Sequence, residues 1–178
     1  MRKITAGLFI SLDGVTESPE QWTGPYFNDE VGQVVGSLIA GGDTLLLGRV
    51  TYEGFAAAFG GQSGGMADQM NNFPKYVVST TLTSADWQNS TLISGDVAAE
   101  IGRLKKQPGG TINMSGSGTL VRWLLRQSLL DTLDLLVFPV VRGSGKRLFE
   151  PDGTEAALKL ITAEALGTGV VHLRYERA

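Results

Sequence analysis

The chain has no cysteine and only one histidine, His172. Without thiols there is no disulfide, no thiolate nucleophile and no cysteine-ligated zinc. With a single imidazole there is no histidine-rich metal site, so no metal is expected. Charge of one sign is scarce too: 15 Lys and Arg face 18 Asp and Glu, for a net charge of −3. That balance offers nothing to duplex nucleic acid or to an anionic membrane. No apolar run approaches the roughly 20 residues needed to cross a bilayer. The basic start, "MRKITAGLFISLDG", alternates instead of forming a solid apolar block before a small-residue cleavage site, unlike a signal peptide. These absences predict a cytoplasmic protein with no membrane and no nucleic-acid partner.

Glycine, by contrast, is abundant: 24 of 178 residues, nearly twice the usual share of about 7%. It follows no period, which implies tight turns and close backbone approaches. Hydrophobic residues make up 42% and charged residues 19% of the chain, a globular composition. The length fits one domain, residues 1–178.

Ile4, Ala6, Leu8, Ile10 and Leu12 alternate with Thr5, Gly7, Phe9 and Ser11, the period of a strand, which Asp13-Gly14 stops. A polar loop carries Glu17, Pro19, Trp22 and Pro25. From about Asn28, Val31, Val34, Val35, Leu38 and Ile39 recur at helical spacing, with Asn28 or Asp29 as cap and Gly41-Gly42 as stop. Thr44 to Leu47 reads as a buried strand. "GRVTYEGFAAAF" then reads as a turn and a short helix opened by Thr51, and residues 60–72 as a glycine-rich loop. "KYVVST" and "STLIS" are strands, "DVAAEIGRLKKQ" a helix capped by Asp96, "TINMS" a strand and "TLVRWLLRQ" a helix. "TLDLLVFPVV" is a long apolar strand, "ALKLITAEAL" suits helix or strand, and "GVVHLRYE" alternates as a strand. Helices and strands alternate through residue 127 and strands dominate afterwards. That order predicts an α/β fold with a mostly parallel sheet and an antiparallel C-terminal edge.

Three strand ends carry groups suited to phosphate. In "INMSGSGTL" a strand meets Gly116-Ser117-Gly118 and then a helix, whose free N–H groups favour anions. A Rossmann fingerprint would need a third glycine where Val121 stands. In "LLLGRVTYEGF" a strand ends in Gly48-Arg49 and Thr51 follows; Arg49 offers a planar fork and Thr51 a cap and hydroxyl donor. "VVSTTL" ends its strand in Ser79, Thr80 and Thr81. In a parallel sheet these ends share one edge, where ligands bind, so the expected ligand is long and carries several phosphates. "RGSGKRLF" is not a Walker loop, because Val140 and Arg147 occupy required positions. Asp13 can orient a substrate amine or relay a proton, or serve only as a turn residue. Asp29 can face the pocket or cap a helix. Trp22 can stack on a planar heterocycle or fold onto the core. His172 is expected on a solvent-facing or interface position of the last strand.

The set "SLDG", Trp22, "LLGRVTYEGF", "KYVVSTTL", "INMSGSGTL" and "LLDTLDLLVFPVVRGSGKRLF" resembles the dihydrofolate-reductase-like family over nearly the whole chain. It is most similar to the branch holding the C-terminal reductase domain of the riboflavin-biosynthesis deaminase-reductase. The resemblance implies a three-layer α/β/α dihydrofolate-reductase-like fold and NADPH-dependent hydride transfer to a small heterocyclic or ribosylamino-pyrimidine substrate. It implies that Gly48, Arg49 and Thr51 serve the pyrophosphate and 2′-phosphate region, and that Ser79 and Thr80 meet the adenosine 2′-phosphate side. Gly116, Ser117, Gly118, Thr119 and Leu120 would form the glycine turn beside the nicotinamide and pyrophosphate. Arg49 and the hydroxyls would then select NADPH over NADH. Two departures stand out. The family turn carries Gly-Gly, often joined by a cis peptide, where this chain has Gly116-Ser117. The acid that protonates pteridine in dihydrofolate reductases is replaced by Phe27, with Asp29 and Glu30 displaced, so Asp13, Asp29 or a water is left as proton source. Dihydrofolate reduction and a catalytically silent NADPH-binding protein are the alternatives. The apolar "LDLLVFPVV" run and the family together predict a homodimer.

Overall fold

The computed structural model describes residues 1–178. In chain order the elements are β1 (Ile4–Ser11), α1 (Asp29–Ala40), β2 (Gly42–Gly48), α2 (Arg49–Phe59), α3 (Gly65–Asn72), β3 (Lys75–Val78) and β4 (Ser90–Ile93). They continue with α4 (Val97–Lys106), β5 (Thr111–Ser115), α5 (Gly118–Arg126), β6 (Thr132–Phe138), β7 (Leu158–Ala165) and β8 (Val171–Arg177). All eight strands form one sheet in the order β4-β3-β2-β5-β1-β6-β8-β7. The six strands from β4 to β6 are parallel, while β8 pairs antiparallel with both β6 and β7. The expected parallel sheet with an antiparallel C-terminal edge is what the chain adopts.

Alternation along the strands divides the core between two faces. Ile4, Ala6, Leu8 and Ile10 join Ile112, Met114, Leu133 and Leu135 under Ile101 and Leu104 of α4 and Leu120, Val121 and Leu124 of α5. On the other face Leu136 and Phe138 pack with Trp22, Val31 and the inner side of α1. Leu45, Leu47 and Val77 pack there too, against Tyr52 of α2, Met70 of α3 and Trp87. Helices therefore cover both sides of the parallel strands and complete three layers.

Three details differ from expectation, and one open reading is settled. Residues 60–72 are not one loop: Gly64 and Gly65, with φ of 94° and 52°, turn the chain into α3, which buries Met70 and Asn71. Thr51 does not open α2; Gly48 is its cap residue and Thr51 lies within the first turn. "ALKLITAEAL" resolves as strand β7, with a register shift between Leu160 and Thr162. The apolar β6 run is interior, flanked by β1 and β8 and buried at nearly every residue. Its composition reflects packing on two faces, and it offers no surface to a second copy.

The scaffold also contains buried charge. Lys75 is 0% exposed and donates to the carbonyls of Asn71 at 3.0 Å, Phe73 at 2.8 Å and Gln88 at 3.0 Å. Its Nζ stands 4.2 Å from the Trp87 ring centroid. Burial pushes this amine down to about 8, and the three carbonyls use all three of its donors.

Candidate functional site

Because β1, β2, β3 and β5 run parallel, Ser11, Gly48, Val78 and Ser115 end on one edge of the sheet. α2 begins immediately after β2, and α5 begins just beyond β5. β2 and β5 are neighbours, so the two helix starts meet. Gly116 at φ 73° and Ser117 at φ 60°, ψ 59° make the left-handed turn between β5 and α5. A non-glycine residue in that conformation costs about 1–2 kcal/mol, which hydrogen bonds offset here. The Ser117 hydroxyl accepts the Gly48 N–H at 2.8 Å and lies 2.9 Å from Thr51 Oγ1. Packing is tight around this clasp. A Cβ at Gly48 would stand 2.7 Å from Ser117 Oγ, and one at Gly116 would stand 3.0 Å from Thr51 Oγ1. The peptide between Gly116 and Ser117 is trans, as is every peptide bond in the chain.

Ser117 is the cap residue of α5, yet its side chain makes no capping bond to α5. Its hydroxyl serves α2 instead. α2, capped by Gly48, has no side-chain cap either. The first-turn N–H groups of both helices thus lack side-chain caps at one shared edge, an arrangement that receives anions. Arg49, the first residue of α2, is exposed and donates to Glu53 Oε2 at 2.9 Å one turn further on. Thr119 is exposed at the start of α5, whereas the Leu120 side chain belongs to the core and leaves only its backbone for this edge.

Of the β3-end hydroxyls, Thr80 is exposed and Ser79 is buried. Ser79 Oγ accepts the N–H groups of Thr81 at 3.1 Å and Leu82 at 3.0 Å, so it locks its own turn. The structure therefore brings Gly48, Arg49, Thr51, Gly116, Ser117, Gly118 and Thr119 together and places Thr80 along the same sheet edge, with Ser79 turned inward.

The candidate acids separate. The Asp13 carboxylate accepts the Arg142 N–H at 3.0 Å, the Gly143 N–H at 2.8 Å and the Ser11 hydroxyl at 2.6 Å. Those donors, the Arg142 N–H foremost, hold its carboxyl well below the usual carboxylate range. Asp13 thus anchors the loop after β6 to the loop after β1. The anchoring continues through the Val15–Arg147 bridge, the Thr16 N–H to Lys146 O bond and the Arg147 Nε to Asp13 O bond. "RGSGKRLF" is a strap over this end of the sheet. A carboxylate so fully engaged is a poor proton donor near neutral pH. Asp29, in the first turn of α1, is exposed and lines a shallow recess of about 470 Å³ with Phe27, Asn28, Gly32 and Gln33. It shares no hydrogen bond with Asp13. Trp22 is 4% exposed, donates from its indole to Glu17 O at 3.0 Å and meets Phe138 edge-on. It is folded onto the core and presents no free face for stacking.

His172 also differs from its expected solvent or interface position. It lies 2.7 Å from the fully buried Asp134, which Arg174 also contacts through Nε at 2.9 Å and Nη2 at 3.2 Å. This cluster borders a polar groove of about 760 Å³ near the opposite ends of the strands, lined also by Thr5, Thr132, Glu164 and Glu176. The sequence carries a signal for it: Thr132 and Asp134 interrupt an apolar strand at period two, opposite charged residues of β8.

A profile of the RibD C-terminal domain matches residues 2–172. The chain is 27% identical to the uncharacterized protein YyaP of Bacillus subtilis, over 98% of this chain and 94% of that protein. Its fold is similar to that of a candidate riboflavin-biosynthesis protein from Shewanella sp. PV-4, with a TM-score of 0.81 at 20% identity over 99% of each chain. It is also similar to dihydrofolate reductase from Enterococcus faecalis in complex with NADP(H), with a TM-score of 0.65 at 15% identity over 98% of this chain and 96% of that one. With the sheet order, the joined helix starts and the glycine turn in place, the chain belongs to the RibD C-terminal domain family, a reductase-like family built on the dihydrofolate-reductase fold.

Proposed function

We propose that the protein is an NADPH-dependent reductase acting on a small heterocyclic or ribosylamino-pyrimidine substrate. The observation that carries this reading is the pair of helix starts without side-chain caps, tied together by Ser117 and flanked by Arg49, on one edge of a parallel sheet. That donor set suits an extended polyanion: first-turn N–H groups of α2 and α5 for a pyrophosphate, the Thr51 hydroxyl beside them, and a guanidinium for a further phosphate. NADPH, when bound, supplies the hydride. The chain's own groups hold and orient the reactants. Asp13 is committed to the strap, so the proton comes from Asp29, beside the recess at the start of α1, or from water. Membership of the RibD C-terminal domain family supports the pyrimidine class of substrate.

The test is a thermal-shift and fluorescence titration with NADPH and NADH. NADPH is expected to stabilise the protein and to bind more tightly than NADH. No stabilisation by millimolar NADPH would refute the reading. Two observations favour a second reading, an NADPH-binding protein without catalysis: the acid after β1 is engaged and the loop tryptophan is buried. Saturable NADPH binding with no oxidation across a panel of pyrimidine substrates would select it.

A further inference from the structure

The sheet face beneath α1 changes character along its strands. Phe9, Leu136 and Phe138 make it apolar where they pack with α1. Four residues earlier in β1 and β6, the same face carries Thr5 and Thr132 instead. These two pair in register with each other, Thr5 also with Asn113 of β5 and Thr132 with Glu176 of β8. Asn113, Thr5, Thr132 and Glu176 therefore form one row across four strands. The row floors the groove of about 760 Å³ between α1 and the C-terminal edge of the sheet.

Folding alone does not require this row. Thr132 is 7% and Asn113 8% exposed. Asn113 Nδ2 donates to Leu38 O and Ile39 O, both at 2.9 Å, which leaves Oδ1 as an acceptor without a protein partner. The hydroxyls of Thr5 and Thr132 bond to no protein group. These atoms open onto the groove, since the one enclosed side-chain polar atom without a partner is Ser90 Oγ, on β4. Valine would match the shape of Thr132 and extend the apolar packing under α1, so a hydroxyl at this position acts on something the groove receives.

The lining also selects the chemistry. No aromatic side chain borders the groove, so a flat heterocycle finds no stacking platform. Asp134, beneath the floor, is neutralised by Arg174, whose Nη1 remains free to donate. Lys3 stands 3.9 Å from Glu176. Glu164 has no ion pair, and Glu30 engages only the Gly167 N–H, through Oε2 at 2.5 Å. Two carboxylates thus meet no fixed cation at the His172 end of the groove, and His172 is itself committed to Asp134. That end disfavours an anion and favours an ammonium. Along the row, the Asn113 acceptor, the threonine hydroxyls and the Arg174 donor make the mixture that successive ligand hydroxyls require. We propose that the groove is a second binding site, for a small polyhydroxylated amine of the amino-sugar class. Its hydroxyls bond to Asn113 Oδ1, Thr5 and Thr132, and its ammonium lies beside Glu164 and Glu30. The site stands at the opposite ends of the strands from the glycine turn and does not rest on cofactor binding there.

Titrations of glucosamine, glucose and the phosphate ester of glucose into the full chain, followed through its backbone amide resonances, test this. Saturable shifts are expected at the amides around Thr5, Thr132 and Arg174. Glucosamine is expected to bind about tenfold more tightly than glucose, and the phosphate ester more weakly than either. Glu164→Gln is expected to bring glucosamine down to the level of glucose and to leave glucose unchanged. Thr132→Val is expected to weaken both sugars about tenfold, with a thermal midpoint equal to or above that of the wild type. NADPH titrations of both variants are expected to match the wild type. No saturable shift at these amides with millimolar glucosamine or glucose would overturn the proposal. So would tighter binding of the phosphate ester, or an amine preference that survives Glu164→Gln. A lower thermal midpoint in Thr132→Val would overturn it too, because the hydroxyl would then serve the fold.

Discussion

The four longer helices enter the fold in two different ways. α1 is capped by Asn28, whose side chain accepts the Val31 N–H, and α4 by Asp96, which accepts the Ala99 N–H. α2 and α5 have no side-chain cap, and the one hydroxyl suited to cap α5 crosses to α2. All four follow strands that end on the same edge of the sheet, so their dipoles alone do not distinguish them. Caps do. A capped start is closed to an incoming anion, whereas an uncapped start is open to one, and the two open starts are the adjacent ones. Function is better located by which polar groups are left without a partner than by which are present.

Arg49→Ala cuts deepest into this contrast. A charge-assisted bond to a phosphate is worth about 1.5–3 kcal/mol, so NADPH affinity is expected to fall at least about tenfold while NADH affinity changes little. Stability stays within about 0.5 kcal/mol, since the exposed Arg49–Glu53 pair contributes little. Equal losses for the two cofactors in calorimetric titrations would mean that Arg49 does not read the 2′-phosphate. Asp96→Ala acts on the closed side. It is expected to cost about 1 kcal/mol in urea unfolding and to leave NADPH binding unchanged; a matching loss of affinity would erase the distinction between the helices. Ser117→Ala acts on the clasp itself, with a stability loss of about 1 kcal/mol and a severalfold weaker NADPH complex. Full affinity in that variant would show that the two helix starts hold their places unaided.

The smallest effect is pH-dependent. The folded Asp13 carboxyl lies below the unfolded value of about 3.9. Its contribution to stability is therefore present above pH 3.9 and lost as pH falls through the lower folded value. The difference in thermal midpoint between wild type and Asp13→Ala is expected to be constant near neutrality and to shrink below about pH 4. A constant difference down to pH 2 would mean that the strap does not depend on the charge of Asp13.

Much of this architecture is written in local pattern. β1 alternates cleanly over one buried face, Asn28 and Asp96 cap where the periodicity begins, and Gly116 marks the turn before α5. Pattern failed where tertiary contacts decide. The extra residue at Ile161 breaks the two-residue period, so β7 reads equally as helix. α3 opens at glycines that resemble a loop, and it is held by the buried Asn71, whose side-chain amide donates to Phe59 O and Gln62 O. At the site, the residue types of the cleft were legible, but their partners were not. Nothing in "VVSTTL" shows that Ser79 turns inward, nothing in "SLDG" that Asp13 is taken up by Arg142 and Gly143, and nothing near Trp22 that its ring packs on Phe138.

The clasp between Thr51 and Ser117 also has a calorimetric and kinetic side. Groups fixed before a ligand arrives lose little motion when it binds, so association at this edge is expected to carry a small entropic penalty. No segment must order first, so encounter should lead to capture at the rates typical of preformed pockets, leaving affinity to be set by how slowly the ligand departs. A hydroxyl that displaces a family glycine would then act chiefly on residence time.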